Sequence, residues 1–323
     1  MHILVCGGAG YVGSHVAYVL AERGHEVTVL DNLSTGHRQA VRWGRLIEAD
    51  LLKPETLEAG FDRPVDAVMH FCARSLVGES VGQPYDYYDN NVVGSLNLLR
   101  AMHRHGVERL VFSSTAAVFG QPISGRIREN HPKSPINPYG ASKLMVERVL
   151  ADAARAYALR SVSLRYFNAA GAAAQAGIGE SHFPETHLIP NVLRSALGIG
   201  APLKVFGDDY PTPDGTCIRD YVHVLDLADA HALALDFMDC NVGAHRFNLG
   251  NGDGFSVLQT IQTARDITGL RIPFAFAPRR DGDPAELVAA SDKARSGLQW
   301  SPRFDRLDQI IASAWDWHRA AAY

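Results

Sequence analysis

The sequence predicts an α/β protein: a doubly wound domain on a parallel sheet, then a smaller C-terminal α/β domain. Three observations point there: short runs apolar on both faces, helix-length stretches between them, and an abrupt loss of that rhythm after Asn168. A strand covered by helices on both sides reads as a continuous apolar run, and alternating strand and helix is the mark of a parallel sheet.

The first strand is expected at His2 to Cys6, followed by a helix from Tyr11 to Arg23 and a second strand from Glu26 to Leu30. Arg45 to Ile47 and Ala67 to Phe71 read as the next two strands. Asn91 to His105 is helical, Leu110 to Ser113 is a strand, and Pro138 to Tyr157 is a helix that turns Leu144, Val149 and Leu150 toward a core. Ser161 to Tyr166 completes the series. Residues 169–186 mix Ala, Gly and polar residues without a period and read as a loop. Short elements continue to Phe276, and Leu307, Ile310, Ile311 and Ala314 trace one face of a last helix.

Composition narrows the function. The 323 residues are 46% apolar and 20% charged, with a net charge of −4, as expected of a soluble globular chain. Mild acidity with mixed signs offers no basic face, so no nucleic-acid partner is expected. No apolar run approaches the length of a membrane span, and a strand beginning at His2 leaves no room for a signal peptide. The sparse cysteines Cys6, Cys72, Cys217 and Cys240 suit a reduced, cytoplasmic protein. Of 31 basic residues only Lys53, Lys133, Lys143, Lys204 and Lys293 are lysines, so a lysine beside candidate chemistry carries weight.

Gly7-Gly8-Ala9-Gly10-Tyr11-Val12-Gly13 follows the first strand and opens the first helix. Gly7, Gly10 and Gly13 let the backbone turn tightly and approach a pyrophosphate, whose charge meets the helix N-terminus. The second strand runs into Asp31, 18 residues past Gly13. A carboxylate there accepts from a ribose 2′-hydroxyl and repels a 2′-phosphate, which favours NAD over NADP. Arg38, seven residues on, argues the other way.

Tyr139 and Lys143 stand four apart, hence on one helix face. A nearby ammonium and a cationic nicotinamide favour phenolate, so Tyr139 can act as a base near neutrality. Ser113-Ser114-Thr115 ends the fifth strand, where an open α/β sheet places its ligand crevice.

These segments, with Asp31-Asn32-Leu33, Asn137-Pro138 and Arg165-Tyr166-Phe167-Asn168, resemble the extended short-chain dehydrogenase/reductase superfamily with its Rossmann-type domain. Val77 to Val81, Tyr88 to Asn91, Phe206 to Tyr210, Asp214 to Thr216, Ile218 to Val224 and Ala277 to Asp283 narrow the resemblance to the UDP-glucose (UDP-galactose) 4-epimerases, over nearly the whole chain.

The resemblance implies that Tyr139 takes the proton of the sugar 4-hydroxyl while hydride passes to NAD+. The 4-keto sugar then turns over and is reduced on its other face. Lys143 would hold the nicotinamide ribose and lower the tyrosine pKa, and Thr115 would bond the sugar oxygen. Tyr11, Val12, Asp31, Asn32, Asp50, Leu51, Phe71, Asn90 and Phe167 would line the NAD site. Asn168, Leu188, Phe206, Arg219, Arg280 and Asp283 would hold a UDP-sugar, the arginines gripping its diphosphate. Residues 1–168, with segments returning from roughly 217–250, would bind NAD, and 169–323 mainly the UDP-sugar.

Four positions depart from relatives. Ser75, beside Arg74, replaces a lysine that touches the cofactor; Ala117 replaces a hydroxyl; and His187 stands where some relatives have an amide. Leu287 stands near a bulky gatekeeping tyrosine, which suggests room for a 2-acetamido group and so for UDP-GlcNAc and UDP-GalNAc. UDP-xylose/UDP-arabinose epimerases share these motifs and form the alternative. A nucleotide-sugar dehydratase needs a carboxylate pair where Ala116 and Ala117 stand. A bare NAD-binding module has no use for Tyr139 with Lys143, and a net oxidoreductase would release NADH. Apolar positions on Asn91 to Leu99 and Leu144 to Leu150 suggest a homodimer. The histidines, including His103 and His105, lack paired metal-ligand spacing, so no metal site is expected.

Overall fold

The structure, a computed structural model, describes residues 1–123, 125–280 and 282–323. Strands β1 (His2–Cys6), β2 (Glu26–Asp31), β3 (Arg45–Glu48), β4 (Ala67–His70), β5 (Arg109–Thr115) and β6 (Arg160–Tyr166) fall where the apolar runs predict. The chain then makes β7 (Asn168–Ala170), β8 (Leu203–Phe206), β9 (Ile218–Arg219) and β10 (Tyr221–His223) before β11 (Ala244–Leu249) returns beside β6. The result is a seven-stranded parallel sheet in the order β11-β6-β5-β4-β1-β2-β3. Its order reverses at β1, which pairs with β2 on one side and β4 on the other. Ligand crevices of open α/β sheets form at such a switch.

Both faces of the central strands are buried, as the continuous apolar runs require. Ile3, Val5, Val27, Val29, Met69, Val111 and Leu164 point to one side, into a core shared with Val16 and Leu20 of the helix Tyr11–Glu22 and Leu235 of the helix Val224–Cys240. Leu4, Cys6, Leu30, Val68, Leu110 and Phe112 point to the other, against Leu98 and Met102 of the helix Gly94–Arg104 and Val146 and Leu150 of the helix Pro138–Tyr157. The buried face of that last helix is Ser142, Lys143, Val146, Glu147 and Leu150, while Leu144 and Val149 are only half-buried. Leu144 instead packs beside Phe119 in a separate small cluster. The departure has a plain cause: the face toward the sheet carries polar residues that a hydrophobic count overlooks.

The expected loop at 169–186 is partly ordered. β7 pairs in parallel with β10, Asn168 opposite Tyr221, and a 3₁₀ turn follows at Ala174–Ala176. A π-helical turn at Asp89–Val93 leads into Gly94–Arg104, so the regular helix starts three residues later than expected. Beyond β11, β12 (Phe255–Ser256) and β14 (Glu286–Leu287) flank β9, and β13 (Phe274–Ala277) pairs with β8. Leu307, Ile310, Ile311 and Ala314 are all buried on the helix Leu307–His318. Among the described residues no helix is long and apolar enough to cross a membrane, and all four cysteines are free thiols.

Candidate active site

The glycine loop is built by close packing. Gly7 has φ +82°, and a Cβ there would lie 2.7 Å from the Cys72 nitrogen; on Gly13 it would lie 2.1 Å from the Gly7 carbonyl oxygen. Only hydrogen fits at either position. Gly10 caps the helix Tyr11–Glu22 without a side-chain bond, which leaves the first-turn N–H groups open to an anion. The Tyr11 hydroxyl donates to the Gly171 carbonyl at 2.6 Å, so its side chain ties the loop to the second half of the chain. Val12 packs against the core beneath.

Asp31 ends β2 buried. Its two carboxylate oxygens accept from Ala9 N at 3.0 Å and Leu33 N at 2.8 Å, and each keeps a lone pair free. Burial raises its pKa and those two bonds work against the rise. Asn32 is exposed and bonds Ser34 N. Asp50 bonds Leu52 N, while Leu51 is buried with its carbonyl held by Asn97. Phe71 leans on His231. These residues leave a groove with tight backbone, open N–H groups and an acceptor pair, which fits a dinucleotide carrying an unmodified ribose. Arg38 is exposed and pairs with Glu48.

The helix Pro138–Tyr157 begins with Asn137, whose side chain accepts from Gly140 N. Gly140 lets that helix sit close, since a Cβ there would lie 2.4 Å from the Ala117 carbonyl oxygen. Lys143 is 2% exposed, its Nζ donates to the Ser113 carbonyl at 2.7 Å, and it lies 6.0 Å from the Tyr139 ring centre. Burial lowers the Lys143 pKa to about 7. Burial raises the phenol of Tyr139, and the Thr115 hydroxyl beside it works the other way. The Lys143 amine therefore serves the end of β5 directly, and the phenol feels Thr115 more than Lys143.

Behind this pair lies a group that sequence reasoning missed. Glu147, one turn beyond Lys143, accepts from Ser114 Oγ at 2.7 Å and from Arg165 Nε at 2.8 Å and Nη2 at 2.5 Å. Both ionic side chains are 1% exposed, and Arg246 reaches the same carboxylate at 3.2 Å. Burial would raise the Glu147 pKa, but the bidentate Arg165 holds it below the ordinary value. Asn91 is the second omission: its amide donates to Ser142 Oγ and the Arg74 carbonyl and accepts from Arg74 N. Asn90 bonds Asn91 in turn. Arg74 pairs with Glu79 at 3.2 Å and Asp86 at 3.8 Å, so its guanidinium is engaged on the α-helical turns before Asn91.

The expected sugar-nucleotide residues form two pairs. Arg219 Nη2 meets Asp283 Oδ1 at 2.9 Å, and the Arg280 guanidinium stacks 3.9 Å over the Phe206 ring. Asn168 donates to the Asp220 carbonyl at 2.8 Å. Leu188 begins the helix Leu188–Ala196 behind His187 and packs on the core of the second half. Leu287 lies opposite Arg219 in the β9–β14 pair and belongs to one apolar cluster with Phe167, Leu144 and the turn after Thr115. Asp220 fixes that arrangement by accepting from Asn251, Gly252 and Ala289.

Residues 3–250 match the NAD dependent epimerase/dehydratase family. A UDP-glucose 4-epimerase of Streptococcus mutans is 52% identical over 322 residues, covering 98% of this chain and 97% of that one. The crystal structure of UDP-glucose 4-epimerase from Brucella ovis in complex with NAD superposes with a TM-score of 0.93 at 47% identity, covering 97% of each chain. The UDP-Glc/GlcNAc 4-epimerase of Campylobacter jejuni gives a TM-score of 0.86 at 41% identity, covering 98% of this chain and 99% of that one.

Proposed function

The chain belongs to the NAD dependent epimerase/dehydratase family, and on that premise we propose that it interconverts UDP-glucose and UDP-galactose by reversible oxidation at C4 with tightly held NAD. The observation that carries this reading is the placement of Tyr139, Lys143 and Thr115 at one strand end beside the glycine-loop groove. Bound NAD supplies reversible hydride acceptance. The remaining work falls to the chain's own residues.

Tyr139 takes and returns the proton of the 4-hydroxyl, with Thr115 holding the same oxygen. Lys143, anchored on Ser113, orients the nicotinamide ribose. The first-turn amides of Tyr11, Val12 and Gly13 receive the NAD diphosphate, and Asp31 with Asn32 receives the adenosine ribose. Asp50, Leu51, Phe71, Asn90 and Phe167 complete that site. With Arg74 engaged by Glu79 and Asp86, the cofactor is held by one cationic contact fewer than in relatives with a lysine at position 75. Arg219 and Arg280 grip the UDP diphosphate, with Asn168, Leu188, Phe206 and Asp283 around it. Residues 1–168, with segments returning from roughly 217–250, serve NAD, and 169–323 mainly the UDP-sugar.

Leu287, half-buried at the edge of the Phe167 cluster, leaves room for a 2-acetamido group, which extends the reaction to UDP-GlcNAc and UDP-GalNAc. The free cysteines suit a cytoplasmic enzyme. Val81, Tyr85, Val93 and Met145 are exposed apolar residues on neighbouring helices, and their cover in a homodimer accounts for them. The direct test incubates the purified chain with UDP-galactose and no added NAD. UDP-glucose should form to an equilibrium mixture, and no product even with NAD supplied would refute the reading.

A further inference from the structure

Between β7 and the helix Leu188–Ala196, four side chains converge on one point. Glu180, His182, Glu185 and His187 each offer one donor atom, and these atoms all lie within 4.8 Å of one another. We propose that they form a site for a single divalent cation of the zinc class, bound through both imidazole Nδ1 atoms and one oxygen of each carboxylate. The site departs from the sequence expectation, because its E-x-H-x-x-E-x-H spacing lies in an aperiodic segment rather than on a helix.

The donor spacing fits. His187 Nδ1 lies 2.9 Å from both Glu180 Oε1 and Glu185 Oε1, and His182 Nδ1 lies 3.3 Å from Glu180 Oε1 and 3.7 Å from Glu185 Oε2. Metal–ligand bonds of about 2.0–2.1 Å in a tetrahedron separate donors by about 3.3 Å, so the histidine–carboxylate pairs are near that spacing and the wider pairs, within 4.8 Å, would close in around a bound ion. Two carboxylates balance one divalent charge with neutral imidazoles. Mixed nitrogen and oxygen donors in fourfold number suit zinc, whereas calcium and magnesium want six or more oxygens.

A second observation is independent of the spacing. His182 Nδ1 is sealed from solvent and faces both carboxylates, the nearer 3.3 Å away, without a well-formed hydrogen bond to either. Two buried carboxylates facing two imidazoles need a positive charge between them, which a bound cation supplies in place of ring protons. The surroundings are those of a held site. Glu185 Oε1 accepts from Thr186 N and His187 N at 2.8 Å each, and the Trp317 indole donates to the Glu180 carbonyl at 2.9 Å. The Glu180 and Glu185 side chains are 5% and 4% exposed, while His187 is 44% exposed and gives a route in. A cation here would cross-link the segment before Leu188 to itself, with the Tyr11 ring standing edge-on to His182. It takes no part in the C4 chemistry.

The test uses the full chain with whatever nucleotide it carries. The protein is stripped with EDTA, titrated with ZnCl2, dialysed and measured for metal content; a second sample is loaded with CoCl2 for its visible spectrum. The expected results are one zinc per chain retained and the intense visible bands of four-coordinate cobalt. His182→Asn and His187→Asn should each weaken zinc binding by at least about tenfold, while His103→Asn, on a distant helix, changes nothing. Failure to retain zinc, weak six-coordinate cobalt bands, or binding equal in wild type and both site variants would each overturn the site and leave two imidazolium–carboxylate pairs. Should a site variant fail to fold, the wild-type cobalt spectrum decides alone.

Discussion

Lys143 Nζ donates to the Ser113 carbonyl at 2.7 Å, two residues before Thr115, and so joins the helix that carries Tyr139 to the strand end that carries its partner hydroxyl. A compact ammonium reaches that carbonyl along a buried path that a planar guanidinium cannot follow. Lys143→Arg should therefore lower kcat/KM by at least about tenfold, measured on UDP-galactose, and near-normal turnover would contradict this role. The same burial has a pH signature. The folded pKa is about 7 against an ordinary 10.5, so between those values the unfolded chain holds a proton that the folded chain lacks. Stability then rises with pH across that window. In urea unfolding of the nucleotide-free chain, the advantage of Lys143→Met over wild type should be larger at pH 7.5 than at pH 9.5.

Tyr139 is the phenol that shares the Thr115 hydroxyl, and position 117 is alanine. Tyr139→Phe should reduce turnover by at least about 10²-fold while NAD remains bound, as read by absorbance of the denatured protein's supernatant. Loss of nucleotide together with activity would point instead to a structural role.

Glu147 joins Ser114, Arg165 and Arg246 beneath the same helix. Removing its charge strands a buried guanidinium, so Glu147→Gln should cost about 3 kcal/mol or more in denaturant unfolding at pH 7. Its folded pKa lies below the ordinary 4.5. That contribution is whole above 4.5 and is lost as pH falls through the folded value. The gap between wild type and variant should shrink in unfolding series taken progressively below pH 4.5.

Leu287 faces the cluster that holds Phe167. Leu287→Tyr should lower kcat/KM for UDP-GlcNAc by about tenfold relative to UDP-glucose through loss of room for one acetamido group. An unchanged ratio between the two sugars would remove Leu287 as the wall of that pocket.

What the sequence reveals and what it hides divide along contact range. The glycine loop, Asp31 and the Tyr139–Lys143 pair are legible because loop chemistry and helical spacing are local. Ser114, Glu147 and Arg165 are scattered over three elements, and only the β5–β6 pairing brings them to one carboxylate. On Pro138–Tyr157 the apolar spacing finds Leu150 and the half-buried Leu144 but not Lys143 and Glu147, charged residues that are buried. β7 and β10 are three residues each, too short for a period, and their pairing is a long-range event. The Glu180–His187 cluster hides for a related reason, since an irregular segment has no spacing rule that announces which side chains will meet.

In the proposed reaction, Tyr139 and the groove beside it return to C4 the same hydride that was removed. The most direct measurement converts UDP-galactose deuterated at C4 in ordinary water and locates the label by NMR. The expected product is UDP-glucose with deuterium still at C4 and no free NADH. Label lost to solvent, or released on free cofactor, would contradict it.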